Sequence, residues 1–321
     1  MVSIGSPRNW LAHLETCRPY TLAYPGLTGL AGAALAGAPT PAQWVTAWLA
    51  PTLVWTGGLY LGDYFDRELD GVGKPHRPIP SGRLAPRTAV LTGICCVAAA
   101  FAASALVEPR AVAIALAGAA GTVGYSRVLK RHGILGNLAR GALTGLVLVF
   151  AATLVHGWPA PLVLGWAAVF CLQDTGSNLV GTVRDIAGDR ACGYRTVSVV
   201  YGGAFANRCA AACFAAAMLG ALALHGISAD LGSGLLLAAI CLGVRAYGPV
   251  LGSGPIDPRK ALRTHEILVA ERLVLAAAVA ANGLGGPATL GILAAALAIS
   301  LSTQLLLRGR HEFGNGTVEL A

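Results

Sequence analysis

Asp63, Asp66 and Asp70 stand at i, i+3 and i+7, a spacing that puts three carboxylates on one face of a helix over two turns. Farther along, Asp185 and Asp189 form an i, i+4 pair flanked by Arg184 and Arg190. Like charges one turn apart repel, so such pairs are unexpected unless a cation or strong solvation offsets them. Mg²⁺ is the natural cation, because it takes one or two carboxylates and completes its octahedron with water and phosphate oxygens. Five aspartates supply −5, roughly two or three Mg²⁺ ions about +4 to +6, and a diphosphate about −3. Basic side chains must balance the remainder, and Arg67, Lys74, Arg77, Lys130, Arg131 and Arg184 are at hand in three connections. Arginine offers a planar fork for phosphate and lysine a point charge. One acidic cluster alone is equally well a solvated helix end. Two of them on one side of a membrane, each followed by basic residues, point to metal-assisted chemistry on a diphosphate.

The elements that carry these residues are apolar. Of 321 residues, 55% are hydrophobic and 12% charged, and the mean hydropathy is +0.64. That charge content is about half the usual 25% of a soluble domain, and it excludes a disordered chain as well. The net charge of +8 is not gathered into a basic arm or stripe, which argues against nucleic acid as a partner. Runs long enough to cross a bilayer fall at about 20–38, 43–62, 88–107, 111–126, 135–155, 160–182, 205–226, 231–251, 266–284 and 287–306. They are rich in Ala, Gly and Leu and do not alternate, so the expectation is an all-α, multi-pass transmembrane bundle of nine or ten helices rather than a barrel. The ninth run is the weakest, because Glu266, Glu271 and Arg272 fall in or beside it; it lies at the interface or is buried among other helices.

Eighteen of the 23 Lys and Arg fall on one alternating set of connections, and Arg110 alone on the other. The positive-inside bias then places the N-terminus and both acidic clusters on the cytoplasmic side of the cell membrane. A cytoplasmic segment 1–19, one membrane domain 20–307 with Asp-rich connections at 62–87 and 183–196, and a cytoplasmic tail 308–321 follow from this division. The N-terminal stretch lacks the order of a secretory signal. The eight cysteines include no CxxC pair, and most sit in apolar spans, where Cys acts as a small hydrophobe.

At these residues the sequence resembles the UbiA superfamily of intramembrane prenyltransferases. Its members carry an Asn-Asp-x-x-Asp-x-x-x-Asp motif after the second helix and an Asp-x-x-x-Asp motif after the sixth. Asp63, Asp66 and Asp70 match the first motif and Asp185 with Asp189 the second; Lys74 to Arg83 resembles the family's basic extension, and Tyr125 with Lys130 its Tyr-x-x-x-x-Lys element. Gly62 stands where the family motif has Asn. The wording from Gly62 to Arg83 is also similar to the subgroup called EboC-like. The resemblance implies that the five aspartates hold Mg²⁺ on a prenyl diphosphate donor. It also implies that Arg67, Lys74, Arg77, Lys130 and Arg131 engage the diphosphate, and that the isoprenoid tail lies in the apolar bundle near membrane lipid. The donor would ionise and a small acceptor, aromatic or otherwise, would capture the allylic cation. A terpene cyclase on the same scaffold shares the first step. A transporter or structural protein is the reading from another class, and the gathering of five aspartates at one face argues against it.

Four further polar residues fall within or beside the apolar runs. Asn178, seven before Asp185, shares its helix face and either touches substrate or bonds a neighbouring helix. Asn137 and Arg140 open the fifth run and point to the polar mouth, unless Arg140 snorkels to the interface. Asp174 either pairs with a polar neighbour or serves function directly. The segment after residue 260 exceeds the nine-helix pattern of the family the sequence resembles, and the sequence assigns it no role.

Overall fold

The computed structural model describes residues 7–252 and 257–314, so the outer parts of the N-terminal and C-terminal segments lie outside the described residues. In chain order the helices are α1 (Pro7–Cys17), α2 (Pro19–Leu35), α3 (Pro41–Phe65), α4 (Arg67–Gly73), α5 (Pro86–Val107), α6 (Pro109–Arg127), α7 (Gly133–His156) and α8 (Pro161–Arg184). There follow α9 (Ile186–Ala191), α10 (Val197–Tyr201), α11 (Gly203–His225), α12 (Leu231–Tyr247), α13 (Pro258–Leu284), α14 (Gly286–Thr303) and α15 (Gly309–Phe313). Among the described residues there is no strand, only one bridge between His132 and Arg195. Ten helices coincide with the ten expected runs. Six apolar stretches, in α5, α7, α11, α12, α13 and α14, are long and apolar enough on their own to cross a membrane. The other four, α2, α3, α6 and α8, all line the cavity described below.

Proline sets many of the starts. Pro19, Pro41, Pro86, Pro109, Pro161 and Pro258 occupy first-turn positions, where the missing N–H costs nothing. Thr40 and Gln43 close a capping box at the start of α3. Pro25 and Pro51 lie inside α2 and α3, where each removes a ladder bond, and both face the cavity.

Lipid gives no hydrophobic reward for helix association, so the bundle relies on close approach of small residues. A Cβ on Gly32 of α2 would stand 2.6 Å from the carbonyl oxygen of Leu148 on α7, and one on Gly145 of α7 2.6 Å from that of Ala167 on α8. At Gly141, one helical turn before Gly145, a Cβ would overlap the Cys171 carbonyl and the Thr175 hydroxyl. Helix α13 is the bundle's central member: it packs on α2, α8, α12 and α14 and is buried from Leu268 to Ala281 apart from Ala270. Of the two expectations for the ninth run, burial among helices is the one observed.

Candidate active site

The two acidic motifs share one local design. Helix α3 ends at Phe65, Asp66 breaks the run with φ −88° and ψ −1°, and the seven-residue α4 follows. Helix α8 ends at Arg184, Asp185 breaks it with φ −98° and ψ 7°, and the six-residue α9 follows. In each, the second aspartate donates its N–H to the first one's carbonyl, Asp70 to Asp66 at 2.7 Å and Asp189 to Asp185 at 2.9 Å. The break at Asp66 means that Asp63, Asp66 and Asp70 are not on one straight helix face. Each turns to a different base.

Asp63 pairs with Arg18 and Asp66 with Lys130. Asp70 accepts from Arg77 Nη1 at 2.9 Å on both oxygens, and Asp185 pairs with Lys74 at 3.1 Å and Arg184 at 2.9 Å. Lys130 is steered by a short turn, Leu129–Arg131, which is tied to the second motif's loop by the Arg195 N–H on the Arg131 carbonyl at 3.0 Å. Burial raises the Asp66 carboxyl above its ordinary range even with Lys130 beside it. Burial pulls Asp185 the same way, but Arg184 and Lys74 prevail and hold it below that range. Asp189, half-buried and next to the Asp185 charge, is pushed up to about 6.

These groups form the mouth of a cavity of about 810 Å³. Its wall continues along α2, α3, α6 and α7 through Thr28, Pro51, Ile114, Leu146 and Phe150, so a charged mouth opens onto an apolar interior. From Asp66 back to Ala50 along α3 is about 24 Å at the helical rise. Midway stands a buried ionic group. Asp174, 1% exposed, pairs with Arg272 at 2.6 Å and Arg140 at 3.2 Å and accepts from Thr144 at 2.8 Å. The two guanidiniums cap aromatic rings, Arg140 on Trp55 at 4.0 Å and Arg272 on Tyr24 at 4.6 Å.

Of the residues expected from sequence, Asp63, Asp66, Asp70, Lys74, Arg77, Tyr125, Lys130, Arg140, Asn178, Arg184, Asp185 and Asp189 line this cavity. Three do not. Arg67 turns back onto the Tyr64 carbonyl and Glu68, because the break at Asp66 rotates the start of α4 outward. Arg131 is exposed at the end of its turn, while its neighbour Lys130 takes the inward position. Asn137 is buried against Asn178 at 2.7 Å, between α7 and α8 rather than in the cavity. Gly62 lines the cavity with open space beside it, a Cβ there lying 3.9 Å from Ser126 Oγ.

The cavity also takes in residues with no motif to announce them: His265 and Arg272 of α13, and Arg308, His311 and Glu312 at the chain's end. Arg308 is 2% exposed and meets Gln304 at 2.6 Å and His265 at 2.5 Å, with no carboxylate partner among the described residues. Arg272 alone carried a sequence signal, a charge inside an apolar run, which demands a partner; the other four fall outside the expected runs.

No three acidic, His or Cys side chains converge on a single point among the described residues. The donor set nevertheless fits Mg²⁺, which uses one or two carboxylates and leaves its other positions to phosphate and water. Asp63 Oδ2 is buried at the cavity wall without a hydrogen-bond partner, an orphaned oxygen of the kind a cation takes up.

An all-helical membrane bundle whose cavity joins paired aspartate motifs to an apolar interior defines an intramembrane enzyme for a substrate with a charged head and an apolar tail. The UbiA prenyltransferase family model matches residues 22–251, and the chain belongs to that family. It is therefore a membrane prenyltransferase. It is 34% identical over 199 residues to digeranylgeranylglyceryl phosphate synthase of Methanopyrus kandleri, covering 62% of this chain and 73% of that one. The enzyme of the same name from Halobacterium salinarum is 32% identical over 269 residues, 82% of this chain and 95% of that one. A solved UbiA homologue from Archaeoglobus fulgidus, bound to GPP and Mg²⁺, superposes with a TM-score of 0.66 at 15% identity over 90% of this chain and 99% of that one.

Proposed function

We propose that the chain transfers a prenyl group from an allylic prenyl diphosphate to a small acceptor inside the bundle, with the mouth on the cytoplasmic side. The observation that carries this is the meeting of both aspartate motifs with Lys74, Arg77, Lys130 and Arg184 at the open end of an apolar cavity. Asp63, Asp66, Asp70, Asp185 and Asp189 would hold Mg²⁺, which when bound supplies Lewis acidity toward the leaving diphosphate. Lys74, Arg77, Lys130 and Arg184 meet the phosphate oxygens and stabilise the negative charge that grows as the C1–O bond breaks. Tyr125 and Asn178 line the same cavity as polar groups that can meet substrate, and the apolar wall keeps water from the allylic cation. The cytoplasmic placement rests on the charge-rich connections: those carrying Arg18, Lys74, Lys130, Arg184 and Arg308 meet at one end of the bundle.

The relatives' name suggests an acceptor that itself bears a phosphate, and this chain has the means to meet an anion in the buried Arg308. The test is product analysis in nanodiscs with Mg²⁺ and geranyl, farnesyl or geranylgeranyl diphosphate, against glycerol-phosphate and aromatic acceptors. A Mg²⁺-dependent prenylated acceptor, absent with Asp66→Ala, is the expected result. A hydrocarbon or terpene alcohol formed without acceptor would show a cyclase, and full activity in a folded Asp66→Ala protein would end the metal-site reading.

A further inference from the structure

Outside the two motifs one more carboxylate reaches the mouth. The chain leaves α14 through a π-helical turn, Gln304–Arg308, and α15 then lays Glu312 against three bases. Its Oε2 meets Lys74 Nζ at 2.9 Å and Arg77 Nη2 at 3.7 Å, and its Oε1 meets Arg184 Nη1 at 3.2 Å. The side chain is only 7% exposed. Lys74 and Arg77 follow α4 and Arg184 ends α8; Arg77 has Asp70 while Lys74 and Arg184 share Asp185, so two aspartates face three bases and Glu312 supplies the third negative charge. What the three share is the point where Glu312 sits. A small anion bridging three converging cations is what the diphosphate of the donor would be.

The rest of the segment is clasped to the same end of the bundle. His311 Nε2 accepts from Arg18 Nε at 3.0 Å, its carbonyl meets His76 Nε2 at 3.1 Å, and Arg310 reaches the buried Glu15 at 3.0 Å. The turn at 304–308 has already left the ordinary α-helical bonding pattern, which makes it the natural place to bend.

We propose that Glu312 is a built-in competitor for the donor: it occupies the cationic seat of the diphosphate, and donor binding requires the Gly309–Phe313 segment to withdraw. The inference rests on the reading of Lys74, Arg77 and Arg184 as the donor's partners. The segment shuts the mouth in the absence of substrate, and a diphosphate, with about three charges against one, displaces it.

If the segment is seated in about nine molecules of ten, it weakens apparent donor affinity about tenfold. The experiment is calorimetric titration of inorganic diphosphate with Mg²⁺, and then of geranyl diphosphate, into the full chain in nanodiscs. Glu312→Gln should bind both about tenfold more tightly than the unaltered protein. Arg310→Ala, which loosens the clasp on Glu15 without touching the cations, should shift affinity the same way and covers the case in which Glu312→Gln does not fold. Adding diphosphate to the unaltered protein should speed tryptic cleavage after Arg308 and Arg310. Equal affinity in all three proteins would overturn the proposal and leave the site reading intact, since diphosphate still binds and Lys74→Met still weakens it. Weaker binding by Glu312→Gln would also overturn it, because the carboxylate would then be serving the ligand. No diphosphate binding by any folded form would overturn the site reading and this inference with it.

Discussion

The Asp174 group permits a stability prediction with a magnitude. Asp174→Asn keeps the size of the side chain, and with its oxygen turned to Arg272 its NH2 donates to the Thr144 hydroxyl in place of the bond the carboxylate accepted, but it leaves Arg140 and Arg272 facing each other without a counter-charge. Removing one partner from a buried pair costs about 3–5 kcal/mol. Two terms reduce that cost here. The amide oxygen still accepts one bond from Arg272, worth about 1 kcal/mol, and both guanidiniums retain their aromatic faces. The expected loss is therefore about 2–4 kcal/mol, well above the roughly 0.6 kcal/mol average of a hydrogen bond between membrane helices.

Equilibrium unfolding in mixed micelles, comparing the unaltered chain, Asp174→Asn, Arg272→Met and the double variant, would measure it. The double variant should recover at least about 1 kcal/mol relative to Asp174→Asn, because one of the two stranded charges is gone. A loss within about 0.6 kcal/mol, or a double variant no better than Asp174→Asn, would refute the reasoning. A protein of normal stability whose turnover alone collapses would instead move Asp174 from the scaffold to the reaction.

Two other outcomes follow from packing and from proton linkage. Gly141→Val should push α7 from α8, since its side chain meets the Cys171 carbonyl and the Thr175 hydroxyl; the expected cost is about 1–3 kcal/mol by thermal melting, with activity falling because Arg140 and Asp174 sit on opposite sides of that seam. Asp189, raised to about 6 by burial and the Asp185 charge, must lose its proton to serve a metal. The Mg²⁺ concentration for half-maximal activity should therefore climb as pH falls through 6 towards 5. Between the unfolded value near 3.9 and the folded one the native state binds the extra proton, so this group's share of metal-free stability should decline as pH rises across that window. A half-maximal Mg²⁺ concentration flat from pH 5 to 8 would show that Asp189 does not ligate the ion.

The chemistry of the mouth was legible because its residues lie within short segments: Asp63 to Arg83, and Arg184 to Asp189. The ten long helices were legible because lipid demands apolar length. What the sequence left open was pairing across distance. Glu271 and Arg272 read equally as interfacial or as paired among helices, and it is Gln173 and Asp174, 98 residues earlier, that supply their partners. Arg67 and Arg131 were expected at the diphosphate as bases of the charged connections and by the family resemblance, yet helix phase decides direction, and the break at Asp66 turns one outward while the end of a short turn exposes the other. Glu312 was out of reach altogether, 238 residues from Lys74 and in a segment beyond the nine-helix pattern.

The mouth in this structure is electrically closed on itself: Arg18, Arg77 and Lys130 each hold an aspartate, and Lys74 and Arg184 share Asp185 and Glu312. Under the proposed function, loading the site is then an exchange of partners. A carboxylate that turns to Mg²⁺ releases the base it held, and the released base is free for a phosphate oxygen. Diphosphate alone would have to compete with aspartates for every base, and Mg²⁺ alone would have to strand the bases in a half-buried mouth. Each ligand thus removes the obstacle to the other, and the coupling must be the same in both directions. Glu312 adds a third anion to that exchange, and it is the one that no metal ligation removes.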